Sequence, residues 1–329
     1  MTPKVSILVP VYNVSNFIER CVHSLFQQTF DDIEYVFVND CTPDNSIEKL
    51  QKVIEQYPNR KERIKIIHHE QNRGSAAARN TAIDNSSGKY IQYIDSDDWI
   101  EPDMIEQMYN KAETEQADIV VCDFVIEKAN TNEFCSDFVP ECQEDYFFTM
   151  IACKGYGYLW NKFVVRQLYE IPECRPVEGL NVLDDRQVST RLYFYAKKIA
   201  KIDKLFYHYD RTNANAITAS KTSMHYENVI LFHKLLEVFL KDKGLWEKYK
   251  QYVDRSKAML KIQLFLEKND YKLRKKYANL YHDVELNYLK GLRKGEKTVI
   301  ILTHFKLHFL AHLAVKYIHW KNRKINKLK

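Results

Sequence analysis

The chain of 329 residues holds only eight glycines, and none of them builds a G-x-G-x-x-G or P-loop signature. Those loops bring backbone N–H groups onto a phosphate, so dehydrogenase and kinase-like readings are weakened. The seven cysteines (21, 41, 122, 135, 142, 153 and 174) are odd in number, scattered, and free of any CxxC pair. Neither a disulfide framework nor a zinc site follows from that spacing, and reduced, buried thiols are expected. No run of about 18 apolar residues occurs, so no clear membrane span is expected. The N-terminus enters a strand-like segment at once, without the charged, apolar and cleavage regions of a signal peptide, and export is not expected. From about Thr222 onward there is no proline.

What is present is the composition of a soluble globular protein, 45% hydrophobic and 28% charged. The length allows one large α/β domain plus an appendage. The net charge of +5 conceals a split: −14 over residues 1–150, +4 over 151–220 and +15 over 221–329. An acidic front joined to a basic tail implies that the two ends face different partners.

Hydrophobic patterning gives an alternation of strands and helices. Lys4–Pro10 reads as a buried strand, and Ser15 can cap a helix over about Asn16–Gln28 with Phe17, Ile18, Cys21, Leu25 and Phe26 on its apolar face. Glu34–Val38 is a second strand, followed by a helix from Asp44 or Ser46 to Tyr57. A third strand covers Ile64–Ile67, the Ala-rich Ser75–Asn85 a helix, and Tyr90–Ile94 a fourth strand. This β-α-β-α-β-α-β order implies a parallel sheet with helices on both faces, and strand-end residues Asn13, Asp40, Arg73, Asp95 and Asp97 converge on one crevice. Further on come a helix to about Thr114, a strand over Asp118–Ile126, an acidic loop over 127–145, and Trp160-Asn161-Lys162 on a helix. Arg186–Tyr195 is helical in pattern and Ile199–Tyr209 a strand. A domain boundary falls near 215–225, dividing the chain into 1–220 and 221–329.

The fourth strand runs into Asp95-Ser96-Asp97-Asp98. Carboxylates packed that closely stay ionised only when water, Arg/Lys or a cation offsets them. At the C-terminal edge of a parallel sheet the natural reading is a hard divalent cation, Mg²⁺ or Mn²⁺, shared with a substrate phosphate. The alternative is that Asp97 or Asp98 caps the helical turn beginning near Pro102.

Pro10-Val11-Tyr12-Asn13, Asn39-Asp40, Asn72-Arg73-Gly74 with Ala78-Arg79-Asn80, Asp95-Ser96-Asp97-Asp98 and Leu183-Asp184-Asp185 follow one another in an ordered set. In that order and spacing they resemble the family 2 glycosyltransferases of bacterial cell-surface polysaccharide synthesis, over about residues 4–220. The resemblance implies the GT-A fold, a Rossmann-like α/β architecture with a mixed, mostly parallel sheet and helices on both faces, here followed by an α-helical C-terminal domain. It implies inverting transfer from a nucleotide-sugar, usually a UDP-sugar. Pro10, Val11, Tyr12, Asn13, Asp40, Arg73, Asp95 and Ser96 then fall at the nucleotide: Tyr12 stacks on uracil, Asp40 accepts from it, and Arg73 meets a uracil carbonyl or the diphosphate, unless it is a surface arginine. Arg79 meets either a structural carboxylate or the ligand, the former being favoured. Asp97 matches the metal-holding position of the Asp-x-Asp signature, with Asp95 toward the ribose or the metal's water shell. Asp185 corresponds to the general base. Asp184 stands where most relatives carry Glu, an acceptor-binding position one methylene longer. The pair could alternatively cap the helix starting at Arg186. Trp160 is either an acceptor-sugar platform or core, and His208 either a metal-ligating imidazole or a satisfied core residue.

The segment 298–320 places His304, His308, His312 and Lys316 every four positions, a polar stripe on an otherwise apolar helix, and the last 14 residues add six Lys/Arg and no acid. Such a helix fits an anionic membrane surface, reaching a lipid-linked saccharide acceptor from the cytoplasmic side. Its alternatives are packing on its own domain or on another subunit of a homo-oligomer. No motif for nucleic-acid recognition accompanies the basic tail. Two other functions compete. A sugar nucleotidyltransferase needs a Gly-rich loop and a Lys/Arg after the first strand, which Pro10–Asn13 lacks; a non-catalytic membrane- or polyanion-binding module is favoured by the tail and opposed by the intact acids at 95, 97 and 185.

Overall fold

A computed structural model describes residues 2–213, 223–267, 275–277, 279–282, 286 and 293–326. It forms two compact units, Met1–Asn228 and Val229–Lys329.

The first unit is organised on β1 (Val5–Val11), whose side chains are buried on both faces apart from half-buried Pro10. A strand so placed must be central, because only helices on both sides of a sheet can cover it. β1 pairs in parallel with β2 (Ile33–Asn39) on one side and with β4 (Tyr90–Tyr93) on the other, and β2 pairs in parallel with β3 (Ile64–His68). Crossovers are made by α1 (Ile18–Phe26), α2 (Ser46–Ile54) and α3 (Ser75–Asp84). α1 buries Ile18, Cys21, Val22, Leu25 and Phe26, the one stripe that its sequence spacing allows. Ser15 does not cap it. Its amide instead donates to the Asp44 carboxylate (2.8 Å), and Phe17 occupies the cap position without a side-chain bond.

Beyond β4 the sheet changes character. A two-residue strand, β5 (Trp99–Ile100), precedes α4 (Met104–Glu115). Then come β6 (Ile119–Glu127), β7 (Asn132–Cys135), the short α5 (Tyr146–Ile151), β8 (Lys162–Val165), the single-turn α6 (Arg166–Tyr169), α7 (Asp184–Tyr195) and β9 (Ile199–Asp210). Among the described residues the nine strands form one mixed sheet of order β3-β2-β1-β4-β8-β6-β9-β5, with β7 paired to β6. β8 enters antiparallel between β4 and β6, while β6 and β9 are parallel. The acidic stretch 127–145, read as loop, thus contains β7. Asp97 and Asp98 cap nothing: β5 lies between them and α4, and Asp103 holds the cap position of α4.

Trp160 was expected on a helix and, in one reading, against an acceptor sugar. Both expectations are corrected. The residue lies in the turn entering β8 and is 2% exposed, with its ring stacked between Tyr158 (centroids 4.5 Å) and Tyr207 (4.2 Å) and edge-on to Phe124. A ring covered on both faces offers none to a ligand. Lys162, also fully buried, donates to the carbonyls of Tyr156 and Tyr158, to Asn161 Oδ1 and to the buried Asp137 carboxylate (3.4 Å), and burial drives its pKa down with Asp137 opposing. The ammonium therefore closes the Gly155–Asn161 turn that the helical pattern obscured.

The second unit is helical: most of α8 (Ser223–Asp242), then α9 (Trp246–Glu267), α10 (Lys294–His304) and α11 (His308–Asn326). The His304–His308–His312–Lys316 ladder is corrected here, for α10 and α11 are separate helices. The chain turns through Phe305–Leu307, with Lys306 in the left-handed region (φ 59°). Val299 and Ile300 pack on Val315, leaving other large side chains of the pair outside.

Replacing Trp160 by Ala is expected to cost roughly 3–5 kcal/mol, the range for emptying a packed aromatic site. Urea denaturation of the variant measures it; a change below about 1 kcal/mol would contradict the stacked placement.

Candidate active site

The carboxyl ends of β1, β2 and β4 point the same way, and β1 is where the sheet order reverses, the place where open α/β sheets leave a crevice. Val11 is buried. Tyr12 follows it 46% exposed, and Asn13 turns the chain at φ 55°, its amide donating to Thr42 Oγ1 (2.8 Å). An exposed tyrosine at a strand end, backed by an anchored turn, is a ready stacking surface.

Asp40 follows the last residue of β2 and is buried. Its carboxylate accepts the amides of Arg73 (2.8 Å) and Gly74 (2.7 Å) and faces His69 Nδ1 (2.7 Å). It therefore fixes the loop that carries Arg73, a role the sequence did not reveal. Gly74 is required there: its φ is +87°, and a Cβ would collide with the Asn181 side chain. The guanidinium of Arg73 reaches Glu178 (3.0 Å), linking the two loops at the rim.

The acidic turn after β4 separates its members by environment. Asp98 is buried and accepts Tyr207 Oη–H (2.7 Å) and the Asp210 amide (2.8 Å). Burial, reinforced by Asp97 and Asp95, pushes its pKa well above the carboxylate range. Tyr207 also receives the Asp95 amide (3.1 Å), so one phenol on β9 holds the turn at both ends. Asp97 takes a hydrogen bond from Asn213 Nδ2 (2.8 Å), and its carbonyl takes one from Arg20 (3.0 Å). Its pKa is raised to about 6 by burial and then by Asp95. Ser96 is buried between them.

Asp184 and Asp185 open α7, whose cap position is Leu183 in the left-handed region (φ 66°) with no side-chain cap bond. The pair therefore does not cap the helix but stands in its first turn, where the helix dipole favours negative charge. Arg79, from the Ala-rich α3, is only 5% exposed and joins both sides of the crevice. Nη2 reaches Asp95 (3.1 Å), Nη1 reaches Asp185 (2.8 Å) and, more closely, Asp184, which also accepts from Ser75 Oγ (3.0 Å). The contact to Asp185 is an ion pair off the line of a hydrogen bond, leaving that oxygen without a formed bond. Burial raises Asp185 to about 7, with Arg79 opposing and Asp184 and Asp95 adding to the rise. Behind the pair, Asn228 Oδ1 accepts the amides of Asn181 (2.5 Å) and Val182 (3.0 Å), anchoring the approach to α7.

His208 is corrected as a metal ligand. Nε2 faces Glu101 (2.9 Å), Nδ1 faces Glu127 (3.1 Å), and the ring stacks on Trp99 (centroids 3.5 Å). Both nitrogens are taken up by these carboxylates and one ring face is covered by Trp99. Tyr207, Asn213, Arg20 and Asn228 were missed in the sequence, since each acts across a separation of tens of residues or more. For Arg79 the signal was present: a charge inside an Ala-rich apolar helix needs buried carboxylates.

Asp95, Asp184 and Asp185 thus gather around one guanidinium, with Asp97 two positions beyond Asp95, a deficit of positive charge that fits a divalent cation at Asp97 and Asp95. Among the described residues no three ligating side chains surround a single point. A hard cation shared with a diphosphate does not need them, since one or two carboxylates with phosphate and water oxygens suffice.

Comparison with known proteins gives the family and the fold. Residues 6–151 match the model of Glycosyl transferase family 2. Over 260 residues the chain is 33% identical to the glycosyltransferase EpsH of Bacillus subtilis, covering 77% of this chain and 74% of EpsH. The chain belongs to glycosyltransferase family 2. Its fold is that of S. aureus TarS 1-349, solved in complex with UDP-GlcNAc: TM-score 0.68 and 18% identity, over 97% of this chain and 92% of TarS. A mannosyltransferase from Pyrobaculum calidifontis, in complex with GDP-Man and Mn²⁺, matches at TM-score 0.50 and 14% identity over 96% and 87%. The GT-A architecture read from the motifs is therefore the one found.

The raised Asp185 pKa carries a stability consequence. Arg79, Asp184 and Asp95 are the charged groups that face it. Because its folded value exceeds the ordinary one of about 4, the fold binds this proton more tightly than the unfolded chain does. That contribution is complete below about pH 4 and is lost as pH rises through about 7. Asp185→Asn is therefore expected to melt higher than the parent protein at pH 8, with a smaller difference at pH 5. Thermal denaturation at the two values measures it, and a pH-independent difference would contradict the buried placement.

Proposed function

We propose that the protein is an inverting, divalent-metal-dependent glycosyltransferase that moves a hexosyl or N-acetylhexosaminyl unit from a UDP-sugar to a hydroxyl of a saccharide or lipid-linked saccharide. The observation that carries this reading is the bridging of Asp95 and Asp184/Asp185 by Arg79, which puts the donor-side and acceptor-side carboxylates in one crevice. The UDP-GlcNAc and GDP-Man complexes of the like-folded proteins support a nucleotide-sugar donor.

In this reading Tyr12 stacks on the uracil while Pro10, Val11 and Asn13 shape the wall beneath it. Asp40 presents the Arg73 loop and uses its remaining lone pairs toward the base. Asp95 and Ser96 lie along the ribose and diphosphate. Asp97, with Asp95, would hold Mn²⁺ or Mg²⁺; bound there, the cation offsets the charge that develops on the departing diphosphate. Asp184 orients the acceptor and Asp185 takes the proton from its hydroxyl. The freed oxygen attacks the anomeric carbon from the face opposite the diphosphate, the C1–O bond to the β-phosphate breaks, and UDP leaves with the bonding pair. Residues 298–329 bring the enzyme to the anionic inner face of the cell membrane, where a growing surface polysaccharide carries the acceptor.

Asp97→Ala is expected to abolish Mn²⁺-dependent UDP binding, measured by calorimetry with and without the metal. Asp185→Asn is expected to retain UDP-sugar binding and lower transfer by about 10²–10⁴-fold, the usual share of a general base. Near-parental transfer by Asp185→Asn would remove the assigned base. The parent enzyme's kcat is expected to fall on the acid side of about pH 7, where Asp185 gains its proton.

A further inference from the structure

α11 has two faces of different kinds. Ala311 and Val315 are buried, and Ile318 packs with Val299 and Ile300 of α10. At about 100° per residue, Phe309, Leu310, Leu313, Tyr317 and Trp320 fall within a single arc of roughly a quarter turn on the other side. These five side chains are 45–65% exposed. Lys316 and Lys321, both exposed, stand just beyond the two edges of the arc. The turn before the helix adds exposed Phe305 and Leu307. A continuous apolar stripe of this size on a water-facing helix marks a docking surface rather than a scatter of surface residues.

The charge around it selects the occupant. Residues 294–329 carry nine Lys or Arg against the one acid, Glu296. A second copy docking by the same face would bring like-charged rims together, whereas an anionic surface complements them. Among the described residues no helix is long and apolar enough to cross a membrane. An amphipathic helix with aromatic residues in its apolar arc and lysines at the margins instead lies in the plane of the interface.

We propose that the Phe309–Trp320 stripe is a docking surface for an anionic lipid bilayer, with α11 in the membrane plane, its apolar arc at the acyl boundary and Lys316 and Lys321 on the headgroups. This rests on the membrane contact proposed above. It assigns that contact to the aromatic face and to acidic lipid, and removes it from the histidine ladder.

The test uses full-length protein and sedimentation with vesicles of phosphatidylcholine alone or mixed with phosphatidylglycerol. The parent protein is expected to bind the anionic vesicles at least tenfold more tightly. The triple variant Phe309→Ser/Leu313→Ser/Tyr317→Ser should lose at least tenfold on the anionic vesicles. Lys316→Glu/Lys321→Glu should abolish the preference for phosphatidylglycerol, each lysine being worth about fivefold near such a surface. His308→Gln/His312→Gln should bind like the parent. Hydrolysis of UDP-sugar by the same preparations reports the first unit separately: its absence in the parent, with vesicle binding intact, would strike the enzymatic reading and leave this one standing. The proposal is overturned if the triple variant binds as the parent does, if neutral vesicles bind equally well, or if the triple variant instead converts a stable dimer to monomer in light scattering.

Discussion

One buried guanidinium holds the crevice together. Without Arg79, Asp95, Asp184 and Asp185 would face one another inside the protein with nothing to offset their repulsion, and burial would drive them toward protonation. With it, the first turn of α7 is drawn against the acidic turn after β4, although these lie almost ninety positions apart in the chain. The compensation is incomplete, because one positive charge serves three carboxylates and Asp97 beyond them. An incomplete balance leaves excess negative charge in the crevice, which attracts cations.

Around that centre the carboxylates are sorted by what already touches them. Asp98 is saturated by Tyr207 and the Asp210 amide and serves the turn itself. Asp40 is spent largely on the Arg73–Gly74 loop. Asp97 accepts from Asn213 and Asp185 meets Arg79 through an ion pair, and burial raises their pKa values to about 6 and about 7.

Local signals made much of this visible in the sequence. The buried run Val5–Val11, the alternation that follows and the acidic break at Asp95 led directly to the parallel half of the sheet and to its crevice. The ordered motifs led to the family. What was hidden is non-local. β8 and its antiparallel entry were masked because Gly155–Arg166 has helical spacing, and the force that closes its turn, buried Lys162 on four backbone and side-chain oxygens including the Asp137 carboxylate, cannot be read from periodicity. For Trp160 and His208 the sequence left two readings open for the same reason: whether an aromatic ring faces a ligand or another ring depends on which strands become neighbours. In the tail, spacing by fours suggested one helix, and a non-glycine residue with positive φ at Lys306 broke it into two.

The tie from Tyr207 to the acidic turn bears on how the polypeptide comes off the ribosome. The segment that matches the family model stops at residue 151, yet the phenol that holds Asp95 and Asp98 arrives more than fifty residues later, on β9. A nascent chain emerging only as far as that segment has its nucleotide-facing strands but not the clasp that shapes their far rim. The stretch matched by the family model and the stretch that builds the acidic turn are therefore different lengths of chain, and a fragment cut at residue 151 would keep the upstream motifs without the phenol that clasps Asp95 and Asp98.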